Sequence, residues 1–176
     1  MMMRFYNRLH EWEGPLFLHV NIRWNRRTCN LLFAILSLIG GATFSLSFSA
    51  LVGFMMPDPW RVVGWQSLAA VSLSHLPVVL AKRSMPRLRP YQVFPQARTG
   101  RRPLQDPSFP SGHTTAAFAL LTPWMIAMPG MFPLLLAVGL GVALSRVYFG
   151  LHYPSDTAVG AMLGFLTALL MIKLIG

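Results

Sequence analysis

Residues 107–145 read PSFPSGHTTAAFALLTPWMIAMPGMFPLLLAVGLGVALS, and none of them is Asp, Glu, Lys or Arg. A helix needs about 20 apolar residues to cross the hydrocarbon core of a bilayer, so this stretch is long enough for two crossings. Its centre, Met128-Pro129-Gly130-Met131-Phe132-Pro133, supplies the Pro and Gly of a tight turn between them. Outward from it, Leu31 to Met56, Val62 to Ala81 and Thr157 to Ile172 are equally free of charge. Charged residues make up 11% of the 176-residue chain, against about 25% in a typical soluble domain. Buried helices of a soluble protein keep polar faces, and these runs have almost none. The expected fold is all-α: an integral-membrane helical bundle of about five transmembrane helices, at 31–56, 60–82, 111–128, 131–149 and 154–175.

The first thirty residues read differently. Phe5, Leu9, Trp12, Leu16 and Val20 recur at helical spacing, with Arg4, Arg8, Glu11 and Glu13 mostly between them. Gly14-Pro15 is expected to break that segment in two. Trp12, Trp24 and Arg26-Arg27 are residue types favoured at the headgroup boundary. The expectation is an N-terminal amphipathic interfacial segment over 1–30, followed by a single membrane domain over 31–176. No uninterrupted apolar run follows the first arginines, so the start does not read as a cleaved signal peptide. The lone cysteine, Cys29, allows no internal disulfide.

The net charge of +10 would suggest nucleic acid in a soluble protein. Here the basic residues lie between membrane spans, so lipid phosphates are the expected partners and nucleic acid is not. Seven of the fifteen Lys and Arg residues fall in one proline-rich stretch, Lys82 to Phe109. Long irregular loops of this kind are usually functional or disordered, and 83–110 is the expected active-site loop. Span counting then gathers the polar blocks. The second span ends at Lys82 and the third begins at Ser111; two crossings later the chain returns near Arg146 and leaves again near Asp156. Three blocks distant in sequence share one face of the membrane.

Each block carries chemistry. The first, Lys82 to Pro90, offers cations, although any single Lys or Arg there has the ordinary role of snorkelling to headgroups; Arg83, Arg87, Arg98, Arg101 and Arg102 are assigned that role. In the second, Ser111 is suited to cap the helix that follows. The free N–H groups of its first turn suit an anion, Gly112 lets one approach, and His113 stands beside it. In the third, Gly150 ends one helix and Pro154 with Asp156 begins the next, leaving His152 in the link. Asp156, four residues on, is placed to accept a hydrogen bond from one ring nitrogen and leave the other to attack. The competing reading makes Asp156 a helix cap and His152 a polar loop residue. His75, inside the second span, is expected to bond a neighbouring helix. Pro77 is expected to kink that span. Tyr148, Phe149 and Tyr153 are read as interfacial anchors.

The three blocks together spell K-x6-R-P (Lys82, Arg89, Pro90), P-S-G-H (Pro110 to His113) and S-R-x5-H-x3-D (Ser145, Arg146, His152, Asp156). In this the chain resembles the type-2 phosphatidic acid phosphatase superfamily of membrane lipid phosphatases, which is related to bacterial acid phosphatases and vanadium haloperoxidases. The resemblance covers residues 82 to 156, and all the signature positions agree. It implies that His152 attacks phosphorus to give a phosphohistidine, with Asp156 orienting it and His113 as general acid. Lys82, Arg89, Arg146, Ser111 and Gly112 would bind the phosphoryl oxygens. No metal or other cofactor is implied, since the cations neutralise charge; activity in EDTA is the check. The implied substrate is a membrane lipid such as undecaprenyl diphosphate, phosphatidate or phosphatidylglycerol phosphate. The alternative is an anionic-lipid transporter or flippase using the same basic face. The implied location is a bacterial plasma membrane. With Lys82, Arg89 and Arg146 set aside and the N-terminal segment included, ten Lys/Arg on the motif side, against Arg61 and Lys173 opposite, favour a cytoplasmic site, whereas the resemblance favours an extracytoplasmic one.

Overall fold

The computed structural model describes residues 11–99 and 104–176. Among these, all regular structure is helical. Residues 11–18 are helical and pass into a π-helical turn, His19–Arg23. Six longer helices follow: α1 Arg27–Ile39, α2 Ala42–Met55, α3 Trp60–Ser84, α4 Gly112–Ala127, α5 Phe132–Tyr148 and α6 Pro154–Ile175. Between α3 and α4 the only helix described is the turn Pro90–Val93.

Three helical stretches are long and apolar enough to cross a bilayer: Trp60–Ser84, Pro129–Tyr148 and Pro154–Ile175. A fourth exists if α1 and α2 count as one span, since they meet at a bend of 54°. The bend lies at Gly40-Gly41, where the chain has no helix-favouring side chain. A Cβ on Gly40 would stand 2.6 Å from Val142 Cγ1 and 2.7 Å from the His113 carbonyl oxygen. The break thus presses directly against the start of α4. Ser45 satisfies one carbonyl freed there, its hydroxyl donating to Ile39 O at 3.0 Å.

α4 is the central element. It packs on α6, α3 and α5 and is buried almost continuously from Thr114 to Pro123. Its 16 residues span about 24 Å at 1.5 Å per residue, less than the ~30 Å of a hydrocarbon core. A helix apolar on every side belongs to a core or a membrane, and α4 is wrapped by the other helices. The outer helices turn the opposite way: Leu31, Leu76, Leu80, Leu134, Leu166, Leu170 and Leu174 are all more than half exposed, as a lipid-facing surface requires.

Several expectations need correcting. Gly14 and Pro15 lie inside the continuous helical run 11–18 and do not break it. That run turns Trp12 (79% exposed) and Leu16 outward and buries Glu13 and Phe17. Phe5, Leu9, Arg4 and Arg8 lie outside the described residues. The buried face of α3 runs Val63, Ser67, Ala70, Val71, Ser74 and Val78. His75 is one step round from it, exposed, and bonds no neighbouring helix among the described residues.

Candidate active site

Two joints hold the site. α6 lies so close to α4 that a Cβ on Gly160 would stand 2.6 Å from Ser111 O, and one on Gly164 2.2 Å from Thr115 O. Close backbone approach of this kind is what small residues allow between membrane helices. It lets the Ser111 N–H donate to Asp156 O at 3.0 Å, pinning the start of α4 to the first turn of α6. Ser111 caps α4, its hydroxyl facing the Thr114 N–H and Oγ1. Gly112 and His113 follow, both half-buried. The second joint is Gly150, with φ +74°, a conformation that glycine adopts without strain. It turns the chain out of α5 so that His152 hangs in the link before α6.

His152 is 2% exposed. Its Nδ1 lies 2.7 Å from the Ser108 carbonyl oxygen, which can only accept, so Nδ1 carries the proton. Nε2 keeps its lone pair and faces Arg89 Nη1 at 3.3 Å. The anticipated direct bond from His152 to Asp156 does not form: the carboxylate Oδ2 is 3.7 Å from Nδ1, beyond hydrogen-bond range. Ser108 comes between them, since its hydroxyl donates to Asp156 Oδ2 at 2.6 Å while its carbonyl takes the His152 proton. The Tyr153 N–H donates to the same oxygen at 2.9 Å. Burial pushes His152 down to about 4; Asp156 opposes the shift, and Arg89 and Arg146 add to it. The imidazole is therefore neutral at ordinary pH.

Arg89 lies against this nitrogen, and Arg146 is within electrostatic reach of the ring. Arg89, 1% exposed, donates through Nε to Asp106 O, through Nη1 to Leu151 O and through Nη2 to Asp106 Oδ1, each at 2.8 Å. Lys82 donates to Pro107 O at 2.7 Å and to Asp106 Oδ2. Arg146 is buried at the end of α5, bonded through Nη1 to Ser37 Oγ at 2.6 Å, while its Nε has no hydrogen-bond partner among the described residues. His113 lies within electrostatic reach of Arg146, His152, Arg89 and Lys82. Beside His113 opens a largely apolar cleft of about 810 Å³ along the α1–α2 bend, lined by Ser37, Leu38, Phe44, Phe48 and Phe149 among others.

The family model described as PAP2 superfamily matches residues 63–176. The chain belongs to the PAP2 superfamily. Among curated relatives, it is 38% identical over 107 residues to decaprenylphosphoryl-5-phosphoribose phosphatase of Mycobacterium tuberculosis, covering 60% of this chain and 55% of that protein. It is 31% identical over 120 residues to lipid A 1-phosphatase of Rhizobium johnstonii, covering 63% and 49%. The chain thus spans about half the length of these curated relatives. Its fold matches Aquifex aeolicus LpxE (TM-score 0.79, 21% identity, 90% of this chain and 93% of that one). It also matches the PAP2-type phosphatidylglycerolphosphate phosphatase of Bacillus subtilis (0.77, 20%, 96% and 86%). With its apolar helices, this PAP2 protein is an integral membrane protein.

The PAP2 signature residues thus meet at one end of the bundle, but four further residues do as much to build the place. Arg87, expected to snorkel, is 6% exposed and lies over the Tyr153 ring at 3.9 Å. It donates to Asp156 Oδ1 at 2.7 Å and Ser155 Oγ at 2.8 Å, and its Nη2 lies 3.4 Å from Glu13 Oε1. Glu13 accepts the Ser155 N–H at 3.0 Å. Ser108 and Asp106 are the other two. Asn21 clamps the loop from behind, exchanging two bonds with the Arg98 backbone and donating a third to Tyr148 O. Tyr148 and Tyr153 are buried rather than interfacial. Arg83 and Arg98 are exposed as expected, and Arg101 and Arg102 lie outside the described residues. The available signal was scarcity: the chain has five Asp and Glu against fifteen Lys and Arg, so any carboxylate near the basic face had cations waiting for it.

Proposed function

We propose that this chain is a phosphohydrolase for a phosphate or diphosphate carried by a membrane lipid, acting through a phosphohistidine on His152 without a metal. The observation that carries the reading is the state of His152: Nδ1 protonated and held by Ser108 O, and Nε2 unprotonated and facing the Arg89 guanidinium. Nε2 attacks phosphorus, and the bond from phosphorus to the leaving oxygen breaks. His113 gives that oxygen a proton. Water then attacks the phosphohistidine, losing its proton to His113, and free phosphate leaves with Nε2 restored. Lys82, Arg89 and Arg146 stabilise the charge on the equatorial oxygens, worth most in a site from which water is excluded. The open backbone at Gly112, where a Cβ would meet only Val78 Cγ1 at 3.9 Å, leaves room for an oxygen at the start of α4.

The apolar cleft beside His113 suits a hydrocarbon tail, so the substrate class is an amphiphile with a terminal phosphate. Undecaprenyl diphosphate, phosphatidate and phosphatidylglycerol phosphate are candidates, and the curated relatives support a phosphate on a polyprenyl or lipid A scaffold. In this reading residues 31–176 form the phosphatase domain, α1–α2, α3, α4, α5 and α6 make five crossings of a bacterial plasma membrane, and the segment 1–30 packs at the interface. The test is phosphate release from a panel of lipid phosphates in detergent. His152→Asn is expected to lower release at least a thousandfold while lipid binding persists. A variant that still releases phosphate near the wild-type rate refutes the mechanism. Lipid translocation in proteoliposomes with no phosphate release by the wild type would favour a transporter.

A further inference from the structure

Asp106 has no step in that reaction, yet it occupies the two cations the reaction needs first. Its Oδ2 accepts from Lys82 Nζ and its Oδ1 from Arg89 Nη2. One carboxylate thus bridges them as two oxygens of a phosphate would. The side chain is 49% exposed, unlike the nearly inaccessible Arg89. Burial alone would raise its pKa, but Lys82 and Arg89 outweigh this and hold it below the usual carboxylate value. It is an anion wherever the enzyme works.

We infer that Asp106 is an internal counter-anion that competes with phosphate for Lys82 and Arg89, and so sets the affinity of the site for phosphoryl groups. The inference rests on the phosphatase reading of those two cations. Three bonds separate it from a structural role. Lys82 is also held by Pro107 O, and Arg89 by Asp106 O and Leu151 O. All three acceptors are main-chain carbonyls. Turning the Asp106 side chain aside leaves both cations where they stand, with donors freed for an incoming anion. Chemistry follows from this. A substrate with a lipid tail brings additional binding energy from the apolar cleft and displaces the carboxylate. Free phosphate, the product, has no tail, and the returning carboxylate helps expel it. Asp106 thus weakens every phosphoryl ligand at the site by the same displacement, and only a tailed one has binding energy in hand to offset it.

The probes are inorganic phosphate and orthovanadate, used as inhibitors of phosphate release from whichever lipid the wild type hydrolyses best. Removing one unit charge in contact with the bound anion in Asp106→Asn is expected to lower both inhibition constants about tenfold. KM for the lipid falls as well, and turnover slows as product lingers. Asp106→Glu keeps the charge and is expected to hold the inhibition constants within about threefold of wild type. Unchanged or weaker inhibition of the Asn variant overturns the inference, because a residue that merely positions the cations would give that sign. Equal tightening in the Glu variant also overturns it. A wild type that releases phosphate while the Asn variant fails to tighten sinks this inference alone; a wild type inactive on every lipid phosphate sinks the phosphatase reading and this with it.

Discussion

Replacing Arg87 by Met separates the two accounts of that residue most sharply. If Arg87 were a surface cation reaching for headgroups, its loss would stay within about 0.5 kcal/mol of wild type. The structure predicts far more. Its guanidinium serves Asp156, which is fully buried, and Glu13, which is 7% exposed, and it lies 3.9 Å above the Tyr153 ring. Met fills much of the volume but leaves two buried carboxylates without their cation. Breaking a buried ion pair from one side costs about 3–5 kcal/mol, and among the described residues Asp156 keeps its bonds from Ser108 and the Tyr153 N–H. For a chain of this size the melting temperature falls by on the order of 10 °C, readable by tryptophan fluorescence in detergent. Adding Glu13→Gln to Arg87→Met removes one of the stranded charges. The double variant is expected to be about 1–3 kcal/mol more stable than the sum of the two single changes. A melting temperature for Arg87→Met within 2 °C of wild type, or strict additivity with Glu13→Gln, would refute the argument.

Two further predictions use independent features. The native state holds His152 near 4 and the unfolded chain near 6.5, so between those values only the unfolded chain takes up the proton and stability falls as pH drops. From pH 7 to pH 5 the wild type is expected to lose about 2 kcal/mol more than His152→Asn, measured by denaturant unfolding; equal losses would show that His152 titrates normally. Gly164→Ala places a methyl group 2.2 Å from Thr115 O and 2.9 Å from Ala119 N, both backbone atoms that cannot turn away. α6 must retreat from α4, with an expected cost of about 1–3 kcal/mol and a tenfold or greater loss of turnover as the site loosens. Gly130→Ala, with nothing within 4 Å, serves as the unaffected control, and equal behaviour of the two variants would sink the packing argument.

What could be read from the sequence, and what could not, follows a physical divide. Hydropathy reports how much of a helix avoids water, so the apolar runs were legible. It cannot say whether the avoiding face meets lipid or protein. That is why the run from 111 to 128 gave no hint that α4 is the most enclosed of the helices. The run 31–56 similarly concealed a 54° bend, although Gly40-Gly41 stood in plain view; Gly breaks a helix only where a neighbour takes advantage of it, and the neighbour here is Val142, about a hundred residues away. At the site, the motifs anticipated which residues meet at one end of the bundle. They could not give the bond pattern between those residues. Ser108 inserting itself between His152 and Asp156 depends on how the loop folds back, and Arg87 looks in sequence like any other arginine of that loop.

The site's charge arrangement also explains why so basic a chain can bury its arginines together. Arg87, Arg89 and Arg146 are each 6% exposed or less, and a buried guanidinium is tolerable only when paired or richly hydrogen-bonded. Arg87 meets that condition with carboxylates from Asp156 and Glu13, and Arg89 with two carbonyls and Asp106. Arg146 does not. Its Nη1 has the hydroxyl of Ser37 and its Nε has no hydrogen-bond partner among the described residues. Leaving a buried donor unsatisfied is costly in the free protein, and that cost is recovered when an anion arrives. Among the described residues Arg87 and Arg89 each hold a carboxylate before substrate binds, and Arg146 holds none. On the phosphatase reading this makes Arg146 the cation with most to gain from a phosphoryl oxygen, at the position where Ser37, on the wall of the apolar cleft, joins the lipid path to the histidine.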